Sequence, residues 1–475
     1  MLTNNISLYT YSAFVCLGLV VKRMISYVDL ALILLYFASV ALVGYVSSRK
    51  ESGEDFLIAK KNLGVFSNVS TISATKITAS VIITYVALVY IYGVSAIWAY
   101  VGMIFGYLLF LFFALKIKKE GDKYNYYTLS DYFYRRYGER TGKIVSFVLL
   151  ISIFMNFIIQ LIGGSKIIQS LTGLSFSIGV VVVGLVILFY LYLGGFKAVV
   201  KTDLIQFVAI IVLFCALGFI LVSNFSFEPS QWQLFSAGPG MIIPLLVVGM
   251  LFPFSAADLW QRSYAAKSVK TLKKSFIYSM ILYLAFGVLL SFIAIIIKLK
   301  LPGINPDRAL VEGFMVLLPS GFIGLGVVAL FAAIMSSADS FAFITASVLV
   351  QDIVFRKKGN KYWAGVLKYA LFGVVGVGML VAMLFESIVE AAFLLTGIFM
   401  VLSVVVLATW IRRYISRIVL NCSLIIGLVF TFVFTLVKGI TPVIIVVGVF
   451  GGLVGLFIGW VLSKFVKRNR VYVRF

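Results

Sequence analysis

The sequence has no histidine and only three cysteines among its 475 residues. The absence of histidine excludes His-ligated zinc, a Ser-His-Asp triad and a histidine proton relay. Cys16, Cys215 and Cys422 each lie in an apolar run, which favours neither a disulfide framework nor a thiolate metal site. Since no nucleophile is paired with a base in the sequence, we expect no enzyme, and we expect no cofactor.

Charged residues are scarce as well, at 12% of the chain, whereas hydrophobic residues make up 62%. A soluble domain has roughly 25% charged and 45–50% apolar residues. This balance leaves too few polar residues to cover a water-facing surface. It predicts an all-α polytopic membrane protein that lies in the lipid bilayer of the plasma membrane.

Long apolar runs supply the expected transmembrane helices, since a bilayer core needs about 20 apolar residues per helix. The apolar stretch 11–21 is too short to span and lacks a small-residue cleavage site, so it does not predict a signal peptide. We predict thirteen transmembrane helices, at 27–47, 65–91, 95–117, 142–170, 174–194, 203–223, 241–261, 275–298, 320–351, 364–384, 387–410, 415–437 and 441–463.

Lysine and arginine set the expected orientation, because cytoplasmic loops retain them. Counted over alternate connections, 32 of the 40 lie on one side of the membrane and five on the other. The N-terminus is therefore expected outside and the C-terminus inside. The same distribution accounts for the net charge of +23 without nucleic acid, since the basic loops are short and lack interleaved aromatic residues.

The second span is unusually polar, because seven of the fourteen residues 67–80 are serine or threonine. Hydroxyls can satisfy carbonyls that an unwound turn sets free. Small residues can also let two helices pack closely. Both interpretations stay open from the residues alone.

The ninth span carries Ser336, Ser337 and Ser340 on one helical face with Ala333. Two adjacent hydroxyls there could ligate a small, hard cation, whereas small-residue packing is the plain alternative. A packing face would not ordinarily include an acid, and Asp339 lies only about 60° round the helix from Ser336.

Spans six and seven each carry an acid near an expected helix interruption. Asp203 follows a Gly-Gly turn at 194–195, where it suits the first turn of a helix as a cap or as a functional acid. Pro253 breaks the hydrogen-bond ladder of span seven, as in the discontinuous helices of many transporters. Asp258 and Arg262, one turn apart, are expected to form an interfacial ion pair.

Together these segments resemble the sodium:solute symporter family, which includes sodium-coupled proline, pantothenate, sugar and monocarboxylate carriers. The resemblance covers roughly residues 26–411, and the order and spacing of its motifs are more specific than any one of them. The motifs are Asp55-Phe-Leu-Ile-Ala59, Ser73-Ala-Thr-x-Ile-x-Ala-Ser80, Tyr90-x-Tyr-Gly-Val-Ser95, Thr128-Leu-Ser-Asp-Tyr-Phe-x-x-Arg-Tyr-Gly138, Gly194-Gly-Phe-x-Ala-Val-Val-x-Thr-Asp-x-x-Gln206, Gln261-Arg-x-x-Ala-Ala-Lys267 and Ser336-Ser-Ala-Asp-Ser340.

The resemblance implies a LeuT-like fold with a 5+5 inverted-repeat core. The charge count supports inversion independently, because span two starts inside and span seven starts outside. Solute and ion are then expected near the midplane, where the two broken helices meet. The expected parts are an extracellular N-terminus at 1–26, an extra helix and loop at 27–64, repeats at 65–223 and 241–410, two C-terminal helices at 411–463 and a cytoplasmic tail at 464–475.

The resemblance also implies an ion site, with sodium as the coupling ion. By position, the family's sodium ligands fall on the backbone carbonyls of Ala74 and Ile77 and on Ala333, Ser336 and Ser337. Neutral carbonyls and hydroxyls suit a hard, monovalent ion, because they replace its water shell without holding it irreversibly. The same carry-over makes Asp203 the acid on the inward exit route of the ion.

Lys76 departs from the family, because an ammonium stands between the two carbonyl residues. It lies about eleven residues from the cytoplasmic end of the span, roughly 16 Å deep, which is too far for easy snorkelling. We expect it to pair with Asp339, Asp203 or a substrate carboxylate and to help set ion coupling. The alternative is that this ammonium replaces sodium, which would give proton-coupled or sodium-independent transport.

The predicted function is secondary active symport of a small polar organic solute, driven by sodium, by a protein that works as a monomer. A transporter-like sensor is the alternative from another class, and the tail of about a dozen residues argues against it. Residues 256–257 lack the amide pair of many sugar carriers, whereas amino acids, monocarboxylates, pantothenate and urea stay open. The residues expected to contact the solute are Thr78, Thr84, Tyr85, Asn156, Gln160, Phe254 and Ser255.

Overall fold

The computed structural model describes residues 26–47, 63–74, 76–126, 128–223, 232–350, 363–385, 387–412 and 415–465. These residues are helical apart from turns, short loops and one isolated parallel bridge between Leu63 and Ala266. The α-helices are α1 Tyr27–Ser47, α2 Val65–Ala74, α3 Ala79–Tyr92, α4 Trp98–Tyr124, α5 Leu129–Thr172, α6 Phe176–Ser223, α7 Pro239–Ser255, α8 Ala257–Ala265, α9 Val269–Lys300, α10 Ala309–Leu317, α11 Phe322–Val348, α12 Trp363–Ala382, α13 Ile388–Ile411, α14 Arg417–Lys438 and α15 Val443–Phe465.

Many of these helices are long and apolar enough to cross a membrane. By length and hydropathy, seven helical segments of the described chain qualify, and the bent pair α7–α8 makes an eighth. The prediction of a polytopic, all-α membrane protein is therefore confirmed. The short helix α10 has nine residues, which are too few to cross a bilayer, so hydropathy does not predict it as a span.

One predicted interruption does not end a helix. The expected turn at 194–195 falls inside α6, whose helical backbone runs over 48 residues from Phe176 to Ser223. Glycine lowers helix propensity by only about 1 kcal/mol per residue, so apolar helix formers on both sides can carry the helix through a glycine pair. The predicted spans 174–194 and 203–223 both fall within the bounds of α6, and the side chains at 192–205 between them lie outside the described residues.

Spans two and seven are both broken. α2 ends at Ala74 and α3 begins at Ala79, so the polar stretch contains an unwound turn, as one interpretation of its hydroxyls predicts. α7 and α8 are bent by 48° at their junction. Pro253 lacks the amide hydrogen that would bind the carbonyl four residues earlier, and α7 ends two residues after it.

Glycines allow the backbones of α7 and α4 to lie in direct contact. A β-carbon built on Gly102 or Gly106 of α4 would lie 2.5 Å from the Leu246 or Met250 carbonyl oxygen of α7. A β-carbon on Gly249 would overlap the backbone of α4 in turn. The Gly-x-x-x-Gly spacing on α4 is the small-residue pattern of close membrane helix pairs, and this crossing fixes the position of the second broken helix.

The serine-bearing helix α11 is fixed at its start by α1. The Gly324 amide in the first turn of α11 donates to Asp29 Oδ1 at 2.6 Å. The other oxygen of Asp29 accepts from the Ser26 hydroxyl at 2.7 Å. A buried carboxylate at a helix N-terminus is stabilised by the free amides and the helix dipole, so α1 and α11 are held together there.

Candidate ion and solute site

The turn between α2 and α3 is closed by backbone and side-chain hydrogen bonds. The amides of Lys76 and Ile77 both donate to the Ser73 carbonyl, at 3.0 and 2.8 Å. The Tyr283 hydroxyl of α9 donates to the Ile72 carbonyl at 2.7 Å. The last turn of α2 is therefore held by partners inside the protein, although the helix stops in mid-span.

Thr78 starts α3 as its N-cap. Its side chain accepts a hydrogen bond from the Val81 amide at 3.3 Å, which satisfies one of the donors that a helix start leaves open. The carbonyl of Ala74 belongs to the last residue of α2, and that of Ile77 lies in the turn. An α-helical ladder does not occupy carbonyls at such positions. These two carbonyls are the ones that we predict as sodium ligands.

The turn between α7 and α8 is closed by side chains that bind its carbonyls. The Ser403 hydroxyl of α13 donates to the Leu251 carbonyl at 2.8 Å. Trp260 Nε1, from α8 itself, donates to the Phe254 carbonyl at 2.9 Å. Side chains of α13 and α8 thus bind two carbonyls in the last turns of α7.

An ion pair joins the two breaks. Lys76 Nζ lies 3.0 Å from Asp258 Oδ1, in the first turn of α8, and 4.4 Å from the centre of the Phe252 ring. The exposed fractions of the two charged side chains are 9% for Lys76 and 26% for Asp258. Each broken helix therefore contributes one charge to a largely buried contact.

The described partner of Lys76 is Asp258 rather than the predicted Asp339. Asp339 is buried in α11, where its Oδ1 accepts from the Ser340 amide at 2.6 Å. The side chain of Asp203 lies outside the described residues. Helical periodicity relates residues within one helix, whereas Asp258 is 182 positions from Lys76 and meets it only through the packing of the two breaks.

The half-helices α2 and α8 are also joined at their other ends. The Leu63 amide donates to the Ala265 carbonyl at 3.0 Å, and the Lys267 amide donates to the Leu63 carbonyl at 2.9 Å. The start of α2 therefore lies beside the end of α8. With the ion pair near the breaks, the two half-helices are connected at both ends.

The predicted sodium ligands of α11 lie together. The hydroxyls of Ser336 and Ser337 both donate to the Ala333 carbonyl, at 3.2 and 3.3 Å. This arrangement collects three neutral oxygens on one face of α11, and α11 packs against α3. Back-bonding of serine to its own helix is common, so the contacts agree with the ion site and also with simple packing.

Two predicted solute contacts on α3 are buried and polar. The Tyr85 hydroxyl lies 2.7 Å from the Ser291 hydroxyl of α9, and its ring packs edge-on against Tyr100 at 4.7 Å between centroids. The Thr84 hydroxyl is buried without a hydrogen-bond partner in the described chain. A buried, unsatisfied hydroxyl is a candidate for a contact with a bound solute.

Asn156 and Gln160 lie one turn apart on α5, as expected. The Asn156 side chain donates to the Ser152 carbonyl of its own helix at 2.9 Å. Gln160 is fully buried. α5 contacts both α3 and α8, so these amides belong to a helix that packs against one half of each broken span.

Phe254 and Ser255 lie in the last turn of α7. The Phe254 ring is fully buried among aromatic residues, with ring centroids 5.7 Å from Phe110 and 5.3 Å from Trp410. The Ser255 hydroxyl donates to the Phe252 carbonyl at 3.1 Å. Both side chains have partners inside the protein.

The profile of the sodium:solute symporter family matches residues 56–425. The chain belongs to this family. It is 25% identical over 347 residues to sodium/proline symporter 2 of Staphylococcus saprophyticus, which covers 68% of this chain and 67% of that protein. It is 24% identical over 357 residues to the sodium/proline symporter of Staphylococcus aureus strain Newman, covering 70% of this chain and 69% of that one.

Two solved structures share the fold. A sodium-coupled sialic acid symporter in a substrate-bound, outward-open state aligns with a TM-score of 0.70 and 18% identity over 92% of this chain and 98% of that one. Mhp1, a nucleobase-cation-symport-1 family transporter in a closed conformation, aligns with a TM-score of 0.58 and 14% identity over 89% and 97%. At these identities the likeness shows the LeuT-like fold of this family member.

Family membership identifies a multi-pass membrane transporter of a small solute rather than an enzyme. It supports sodium-coupled symport, with sodium as the coupling ion. The matched range contains every predicted site residue of this family member. The sequence analysis does not predict the contacts made by Asp258, Tyr283 and Trp260. Of these residues, only Asp258 carries a signal in the sequence, as an acid shortly after Pro253.

Proposed function

We propose that this chain couples the entry of sodium to the uptake of a small polar organic solute by alternating access. The observation that carries the proposal is the meeting of two broken helices, joined by a 3.0 Å ion pair, in a member of this family. Half-helices that end inside the membrane expose main-chain groups to an ion and a solute, while their remaining backbone stays hydrogen-bonded.

Sodium is proposed to bind the Ala74 and Ile77 carbonyls and the oxygens of Ala333, Ser336 and Ser337. In support, the two carbonyls lie at the first break, and the two hydroxyls lie within 3.3 Å of the Ala333 carbonyl. Further roles in ion coupling are proposed for Lys76, Asp203 and Asp339. The alternative in which the Lys76 ammonium replaces sodium is not favoured, because the relatives are sodium symporters and the ammonium is bound to Asp258.

The solute is proposed to bind between α3, α5 and the end of α7. Thr84 and Gln160 are the favoured contacts, because their polar groups are buried on helices that line the breaks. Proline is the first solute to test, since two similar relatives are sodium/proline symporters. Thr78, Tyr85, Asn156, Phe254 and Ser255 complete the proposed set.

The protein is proposed to work as a monomer in the plasma membrane, with inverted repeats at 65–223 and 241–410. Its N-terminus is proposed to lie outside and its C-terminus inside. The uneven distribution of lysine and arginine supports this orientation. Reporter fusions after residues 230 and 360 should lie outside and inside respectively. The reverse result would contradict both the orientation and the inverted repeat.

Purified protein in proteoliposomes tests the function directly. A panel of proline, other amino acids, monocarboxylates, pantothenate and urea is offered under an imposed sodium gradient, a proton gradient or neither. Accumulation of one solute above its external concentration is expected with the sodium gradient alone. Accumulation that follows only the proton gradient, or no accumulation of any solute in the panel, would count against sodium symport of this solute class.

A further inference from the structure

Lys76 brings a positive charge to the proposed sodium site. Its α-carbon is within about 8 Å of those of Ala74 and Ile77, since it is two residues from one and adjacent to the other. A sodium ion held by their carbonyls would therefore share one turn of the chain with an ammonium. In a partly dry site, like charges carried by one turn repel more strongly than they would in water.

Asp258 supplies the opposite charge from the other broken helix. Its carboxylate lies 3.0 Å from the ammonium, and the low exposure of both side chains limits screening by water and salt. A second cation, Arg262, lies one turn further along α8 and within electrostatic range of Lys76. Without the carboxylate the turn would face two cations, whereas the Lys76–Asp258 pair is neutral.

We propose that Asp258 is a positioning residue for ion coupling, whose carboxylate neutralises Lys76 so that sodium can bind at the adjacent turn. The proposal rests on the proposed sodium site and names the residue that sets its affinity. Charge neutralisation has a signature that a structural contact lacks. Removal of the acid weakens sodium binding, removal of the lysine strengthens it, and removal of both restores it. If the pair only held two helices together, removal of either residue would change the sodium affinity in the same direction.

Binding of radioactive sodium to the purified protein in detergent tests this without transport. Asp258→Asn should raise the sodium Kd at least about tenfold, which is about 1.4 kcal/mol. Lys76→Met should lower the Kd, and the double variant should return close to the parental value. Asp122→Asn is the matched control, because Asp122 lies 2.6 Å from another buried lysine, Lys118, at the inner end of α4; it should leave the Kd unchanged.

Shifts of the same sign in the two single variants, or a double variant that binds no better than Asp258→Asn, would overturn this proposal and leave sodium symport standing. A parental protein that binds no sodium would overturn both. If Asp258→Asn is not recovered as folded protein, the other two variants still decide, because an unchanged or weaker affinity in Lys76→Met contradicts charge neutralisation.

Discussion

The two helix breaks differ in what holds them open. The second break follows Pro253, and Ser403 and Trp260 bind carbonyls on either side of it. The first break contains no proline or glycine anywhere between Val65 and Tyr92. Contacts from elsewhere in the molecule maintain it instead, namely Tyr283 on the last turn of α2 and Asp258 on Lys76.

The second break is thus encoded by the local sequence, whereas the first depends on tertiary contacts. Pro253 lacks an amide hydrogen in every conformation, so the helical ladder at the second break is always short of one bond. The first break depends on partners that another conformation or a bound ion can replace, and the helical ladder does not occupy the carbonyls of Ala74 and Ile77. We therefore expect changes at the second break to affect folding most, and changes at the first to affect ion binding.

The largest effect is expected where the second broken helix crosses α4. In Gly249→Ala the new β-carbon would overlap backbone atoms of Ala99 and Met103, which cannot move aside as a flexible side chain can. We expect a destabilisation of about 3 kcal/mol or more, measured by thermal unfolding in detergent. Gly240→Ala is the control on the same helix, since nothing lies within 4 Å of its β-carbon. Equal stability of the two variants would mean that α4 and α7 are further apart than described.

The next largest effect distinguishes serines that bind sodium from a serine that only binds a main-chain carbonyl. Ser336→Ala and Ser337→Ala should each raise the half-saturating sodium concentration more than tenfold, about 1.4 kcal/mol, because a hard ligand is lost. Ser403→Ala removes a hydroxyl from the second break and should leave sodium dependence unchanged while it lowers stability by about 1 kcal/mol. Uptake at graded sodium concentrations measures this. Unchanged sodium dependence in both α11 variants would remove these serines from the site.

Hydropathy alone predicts much of the fold, because a lipid environment forces apolar residues into helices of fixed minimum length. The first span was expected at 27–47, and α1 is Tyr27–Ser47. The periodicity of α11 likewise groups Ser336 and Ser337 with Ala333, and the hydrogen bonds agree. Both features depend on residues that are near one another in the chain.

The pairing of Lys76 could not be predicted, because it depends on how two distant breaks pack. The sequence shows that a deep lysine needs a partner, yet every acid in the bilayer is a candidate until the helices are positioned. Asp258 was instead assigned to Arg262, since a spacing of four residues is visible without a fold. The glycine pair at 194–195 is a second case, in which local propensity predicted the start of a new helix, whereas the backbone assignment of α6 includes both residues.

A smaller effect is expected on the helix that contacts both breaks. Gln160→Leu should weaken solute affinity about fivefold, close to 1 kcal/mol, with the sodium dependence retained, if the buried amide binds solute. Gln169→Leu on the same helix, more than two turns away, is the control. Uptake against solute concentration measures the difference. If the Gln160 variant kept the parental affinity, that amide would serve helix packing only.

The smallest expected effect concerns the cap that ends the first break. Thr78→Ala removes the acceptor of the Val81 amide and should lower the free energy of unfolding by about 1 kcal/mol. Thr78→Ser keeps the hydroxyl and should keep most of the stability. The second break offers a comparison, because Ala256, the N-cap of α8, provides no side-chain cap. Ala256→Ser should raise the free energy of unfolding by a few tenths of a kcal/mol if its hydroxyl reaches an amide. Thermal unfolding of the three variants measures these differences. If Thr78→Ala were as stable as the parent while solute affinity fell, Thr78 would contact the solute rather than hold the break open.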